Sequence, residues 1–131
     1  MIALDTNIVV RLLVRDDPQQ TERAAAMVRD QPVLVTATVL LETEWVLRSR
    51  YRVPRPAIVA ALRRLVDLEQ LTLDRPTEVA RALAWFEAGL DFADALHLAA
   101  SHAAREFATF DPALAREAGA VGTAPAVRLC A

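Results

Sequence analysis

Short apolar runs alternate with longer amphipathic segments from one end of the chain to the other, and this alternation is what most limits the fold. Strands are expected near 1–5, 33–36, 71–73 and 107–110, with a further one at 120–122. Helices are expected near 7–14, 18–30, 37–51, 55–69, 76–88, 92–105 and 112–118. A chain that repeats strand, helix, strand builds a mostly parallel sheet with helices on both faces, because parallel neighbours need a crossover connection. Several boundaries have a local cause. Asp17-Pro18 sets a cap before a proline at the first helical position, Val53-Pro54 ends the third helix, and Gly89 and Gly119 suit helix C-termini. The fold class expected is therefore α/β with a short, mostly parallel sheet.

The 131 residues are enough for one core and one domain, 1–131, and no repeat, low-complexity tract or linker divides them. Charge interrupts every apolar run before it reaches the roughly 18 residues needed to span a bilayer. Asp5 falls where a signal peptide would carry its apolar stretch, so a cytoplasmic protein with no membrane association is expected. Cys130, the single cysteine, leaves no disulfide or thiolate zinc site within one chain and reads as a spare thiol.

All 15 basic residues are arginine. With no lysine, a phosphate-binding Walker loop is excluded, and phosphoacceptor-aspartate folds, which normally use a lysine, become poor candidates. A net charge of −2 gives no general attraction for nucleic acid, so a polyanion would have to be held by local arginines or a metal.

Four acids sit where elements begin or end. Asp5 follows the apolar run Met1-Ile2-Ala3-Leu4 and precedes a helix; Asp111 follows Phe107-Ala108-Thr109-Phe110 and precedes another. In open α/β sheets ligands bind beside the carboxyl ends of strands. Asp91 and Asp94 open the sixth helix, where local sequence favours capping and dipole roles for them. Asp111 and Asn7 would also serve as caps. In the third helix, Glu42 and Glu44 are about 200° apart around the axis, so only one of them faces a given site. Periodicity favours Glu42, on a stripe with Thr38, Leu41 and Trp45 that has the spacing of a buried face, without excluding Glu44 between Leu40 and Leu47.

The ordered set Leu4-Asp5-Thr6-Asn7, Val39-Leu40-Leu41-Glu42-Thr43-Glu44-Trp45-Val46-Leu47, Asp91-Phe92-Ala93-Asp94-Ala95-Leu96-His97 and Ala108-Thr109-Phe110-Asp111 resembles the PIN-domain ribonucleases. Among them it is most similar to the VapC-type toxins of bacterial toxin–antitoxin pairs. The resemblance runs from Met1 to about Gly122. It implies a three-layer α/β/α sandwich, a metal site at Asp5, Glu42, Asp94 and Asp111, and polar support from Thr6, Asn7 and Thr109, and it leaves Asp91 open as ligand, supporting group or helix cap. It also implies RNA as substrate, a homodimer and a cognate antitoxin protein. The chain departs from the family pattern at Pro112, where polar residues are common.

The chemistry suits these residue types. Mg²⁺ and Mn²⁺ prefer oxygen ligands, and crowded carboxylates raise one another's pKa until a cation neutralises them. A metal-activated water can then attack a phosphodiester in line, with the acids serving as catalytic metal ligands. Arg48, Arg50, Arg52 and Arg55 form the densest basic stretch, and Arg11 and Arg15 lie one turn apart. Each set would serve as a dipole complement and solvated surface, a clamp for RNA phosphates, or a protein contact. His97, three residues after Asp94, could face the site, but on an alanine- and leucine-rich helix it reads first as a packing residue, and His102 is a weaker candidate still. Trp45, Trp85, Phe86, Phe92, Phe107 and Phe110 read as core or subunit-interface residues, with little support for base stacking. Two other functions compete with the nuclease: a silent acidic pocket that docks an arginine-bearing partner, and a phosphomonoesterase.

Overall fold

The computed structural model describes residues 1–130, which form two compact units, Met1–Pro76 and Thr77 onward. In the first unit the chain runs β1 (Ile2–Ala3), α1 (Thr6–Leu13), α2 (Pro18–Asp30), β2 (Val33–Val35), α3 (Ala37–Ser49), α4 (Arg55–Val66) and β3 (Leu71–Leu73). The strands pair in parallel in the order β1-β2-β3, with Ile2 opposite Val33 and Val33 opposite Leu71. Val33 and Val35 of the central strand are fully buried, as are Val9 of α1 and Leu62 of α4. Val33 and Val35 point to one face of the strand, which is fully covered, while Leu34 between them points to the other and is partly buried.

The second unit contains α5 (Pro76–Glu87, which begins at the junction), α6 (Phe92–Ala100), β4 (Glu106–Thr109), α7 (Pro112–Val121) and β5 (Ala126–Leu129). Here β4 pairs in parallel with β5, Glu106 opposite Ala126 through Thr109 opposite Leu129, and α7 makes the crossover between them. Phe86 and Phe92 are buried edge to face with ring centres 5.3 Å apart, which fixes α6 against the end of α5. No helix among the described residues is long and apolar enough to cross a membrane.

The α/β class and the parallel pairing are as the alternation predicts, but three expectations need correction. The last strand is not at 120–122: α7 continues through Val121, and Gly122, at φ +81°, ends it in the left-handed conformation that a Cβ disfavours. Gly119, expected at a helix terminus, lies inside α7. The sixth helix stops at Ala100, and 101–105 are turns and bends despite their alanines, with the Ser101 hydroxyl bonding back to the His97 carbonyl at 2.6 Å.

Candidate metal and nucleic-acid site

β1 is only two residues long, and the backbone N–H of Leu4 still reaches the Leu34 carbonyl at 2.9 Å before the chain leaves the sheet. Asp5 follows in extended conformation as the N-cap of α1, its carboxylate accepting from the Thr6 N–H at 2.8 Å. Asp5 rather than Asn7, which lies inside α1, is therefore the cap of this helix, and the same geometry exposes its carboxylate at the carboxyl end of a strand. Thr6 is buried, and its hydroxyl donates to Glu42 Oε1 of α3 at 2.5 Å. α1 and α3 pack together, and this bond joins the two expected acids of the first unit through Thr6.

Asp5, Thr6, Asn7 and Glu42 line one cleft of about 280 Å³ together with Val10, Arg11, Trp45, Val46, Arg50 and Tyr51. Four residues expected to form or support a metal site are thus brought together within the first unit. Two of the six candidate arginines, Arg11 and Arg50, join them. Carboxylate, amide and hydroxyl oxygens are the donors that a hard divalent cation takes.

The stripe that carries Glu42 is not the buried one. Leu40, Thr43, Glu44 and Leu47 are buried, at the i, i+3, i+4, i+7 spacing of a core face, while Glu42 and Thr38 are exposed and Trp45 is 49% exposed. Glu44 tolerates burial because the Arg48 Nε donates to its Oε2 at 2.8 Å from the next turn.

The arginine sets also separate. Arg48 neutralises Glu44, and Arg50 caps the end of α3 and lines the acidic cleft. Arg52 adopts φ +54°, which turns the chain back before Val53-Pro54, and Arg55 opens α4. Arg11 and Arg15 do not share a helical face, because α1 ends at Leu13. Arg15 instead borders a different, largely apolar hollow with Leu12, Leu13, Arg64 and Leu68.

Arg11 is held at the surface by three partners: its Nε donates to Gln20 Oε1 at 2.7 Å and its Nη1 to Asp16 Oδ1 at 2.5 Å and the Tyr51 hydroxyl at 3.3 Å. The Tyr51 hydrogen bond and the Asp16 charge push its pKa further up, although burial opposes them. Sequence reasoning missed Tyr51. The 40 residues separating it from Arg11 are bridged only by the tertiary fold, and no local pattern signals that contact.

In the second unit Asp91 is the N-cap of α6, accepting from the Asp94 N–H at 3.2 Å, so its cap reading is satisfied. Asp94, half-buried in the first turn, has its pKa raised from 3.8, first by burial and then by the charge of Asp91; Asp111 and Glu117 push the same way, and His97 opposes them. Asp91, Asp94, Asp111 and Glu117 therefore share one negative field. Glu117, on α7, was not among the expected site residues. Asp111 caps α7 by accepting from the Ala113 N–H at 2.9 Å, and its own N–H donates to the Thr109 hydroxyl at 3.0 Å. His97 is exposed rather than packed, while His102 Nε2 lies 3.4 Å from Glu78 Oε1. Phe110 is 83% exposed and so is not a core residue.

The four expected acids are thus distributed in pairs, Asp5 with Glu42 and Asp94 with Asp111. Within neither unit, among the described residues, do three or more Asp, Glu, His or Cys side chains gather as a ready-made metal cluster.

Comparison with known proteins adds a family. The model of the PIN domain matches residues 2–120, through nearly all of the sequence and every expected acid. Among solved structures the chain is similar to the Mycobacterium tuberculosis toxin VapC20, described as cleaving the sarcin–ricin loop. That similarity has 23% identity over 95% of this chain and 98% of the other, with a TM-score of 0.42. No curated protein matches.

Proposed function

This chain belongs to the PIN-domain family, and on that premise we propose that it is a metal-dependent endoribonuclease, the toxin component of a toxin–antitoxin pair. The family match covers 2–120 without a break, which also supports reading both units as one functional domain. The observation that carries the proposal is the cleft in which Asp5, Thr6, Asn7 and Glu42 meet, with the Thr6 hydroxyl on Glu42. These oxygen donors suit Mg²⁺ or Mn²⁺, and Asp5, Glu42, Asp94 and Asp111 are proposed as the carboxylates that hold it. When bound, such an ion supplies charge neutralisation and Lewis-acid activation of water at a phosphodiester.

The chain's own groups prepare that chemistry. Thr6 fixes the Glu42 carboxylate by a hydrogen bond to one oxygen and leaves the other available. Asp5 is oriented by its cap bond to the Thr6 N–H. Arg50 supplies a cation to the cleft for an incoming phosphate. RNA as substrate, a homodimer and a cognate antitoxin follow from the same family reading, supported by the order of the acidic motifs. A cytoplasmic location is proposed with them.

The test is cleavage of RNA by purified protein with Mg²⁺, with Mn²⁺ and with EDTA, beside a phosphomonoester control. The expected result is metal-dependent internal cleavage of RNA and no phosphomonoester turnover. Turnover of the monoester alone would convert the reading to a phosphatase. Inactivity on both, with retention of an arginine-bearing partner, would convert it to a silent docking pocket. Glu42→Gln should abolish cleavage.

A further inference from the structure

Trp45 is 49% exposed, and it is exposed in the cleft that holds the first pair of acids. Its neighbours on α3 explain why it has no core duty. The buried face of that helix is Leu40, Thr43, Glu44 and Leu47, and Trp45 points away from it, three residues after Glu42 and therefore on the same side of the helix. A large apolar ring left half in water has a free energy to gain from a partner with a flat apolar face.

The rest of the lining says what kind of partner. Beside the indole stand Arg50, Tyr51 and the two carboxylates. Since Arg11 is held by Asp16, Gln20 and Tyr51, Arg50 is the cleft arginine for which no such network is formed. A ligand that presents a planar apolar ring and, one backbone step away, a phosphate would satisfy the indole and the guanidinium together. An unpaired nucleotide has that form, and aromatic stacking of bases is tolerant of sequence.

We infer that Trp45 is the stacking platform for a nucleobase next to the scissile phosphate, with Arg50 holding a neighbouring phosphate, so that the cleft accepts unpaired RNA rather than duplex. This rests on the ribonuclease reading and deepens it. A base within a duplex already has both faces stacked, so it offers the indole nothing until it is splayed out.

The experiment uses the full chain with Trp85→Phe, which leaves Trp45 as the sole tryptophan, since the chain has two. Its fluorescence is followed as a short single-stranded RNA, or the same sequence as a duplex, is added in EDTA and again with Ca²⁺. Saturable quenching by the single strand and little by the duplex is expected. Trp45→Ala should weaken single-strand binding by about 5- to 100-fold, read by anisotropy of a labelled RNA, and Trp45→Phe should restore most of it. In cleavage assays the alanine variant should raise KM more than it lowers kcat.

Absence of quenching in both buffers overturns the inference, as does a folded Trp45→Ala protein that binds RNA like the parent. If Trp45→Ala alters self-association in sedimentation but leaves RNA binding unchanged, Trp45 is a subunit contact and the inference is wrong. Quenching without any metal-dependent cleavage would uphold the stacking platform and remove the nuclease reading, so the two failures are distinct.

Discussion

The two pairs of expected acids live in different electrostatic surroundings. In the first unit Glu42 has a hydroxyl donor within 2.5 Å, its cleft is shared with two arginines, and the nearby buried Glu44 has Arg48 one turn away. In the second unit burial, and after it the charge of Asp91, raises the Asp94 pKa; Asp111 and Glu117 add to this, and His97 opposes it. The Glu42 carboxylate has a hydrogen-bond donor and cations nearby, whereas Asp94 meets burial and like charge.

The largest expected effect tests whether both surroundings serve one reaction. Asp5→Asn and Asp94→Asn should each lower metal-dependent RNA cleavage by about 100-fold or more, since even outer partners of a metal site are worth about 10- to 100-fold. Asp91→Asn should retain a measurable part, because asparagine caps a helix about as well as aspartate. Normal cleavage by Asp94→Asn with a dead Asp91→Asn would mean that the two roles are exchanged. Full activity in all three variants would leave Asp5 and Asp91 as caps and Asp94 as a first-turn acid, and nothing more.

Next in size is the neutralisation of the first unit. Arg48→Met removes the observed partner of a carboxylate that is 1% exposed and should cost about 1–3 kcal/mol in urea unfolding. Arg50→Met, on exposed surface two residues on, should stay within about 0.5 kcal/mol. Equal losses would show that Glu44 does not depend on Arg48.

Millimolar Mg²⁺ or Mn²⁺ should raise the melting temperature, with a stabilisation of about 1.4 kcal/mol at ten times Kd. Asp94→Asn should lose most of that rise. A flat response in the parent would remove the metal from the account.

The smallest effect is a pH dependence in metal-free protein. Because the folded state raises the Asp94 pKa above 3.8, it holds that proton more tightly than the unfolded chain does. The contribution of Asp94 to stability therefore falls as pH rises from the unfolded value through the raised folded value, and remains low above it. Asp94→Asn should be more stable than the parent at neutral pH, with the gain vanishing below the unfolded value. A gain that is the same at every pH would mean that it arises from packing rather than charge.

Where sequence and structure agree, the agreement has local causes. The starts of α2, α4, α5 and α7 were legible because proline fixes the first helical turn, and the caps at Asp17, Asp91 and Asp111 because short acidic side chains reach orphan N–H groups. What escaped was set at long range. Glu44 looked like the less natural core residue, yet Arg48 four positions on was the signal that it would be buried in a pair. Trp45 was placed with the core because its helix has two apolar stripes, and which of them meets the sheet is decided by α1 and α4. Tyr51 depends on the left-handed turn at Arg52, where nothing in the local sequence demands a positive φ. β5 was misplaced because an apolar Ala-Val pair at the end of α7 is indistinguishable from a strand in so short a window.

The brace of Arg11 with Asp16, Gln20 and Tyr51 has a consequence for the salt dependence of binding. A guanidinium whose charge is compensated within the fold releases few counterions when a polyanion arrives, so the cleft draws on Arg50 for long-range attraction. RNA bound there would then show a shallow dependence of affinity on ionic strength, because a slope of about 0.7 in log affinity per phosphate neutralised on a single strand would apply to the few phosphates that Arg50 reaches.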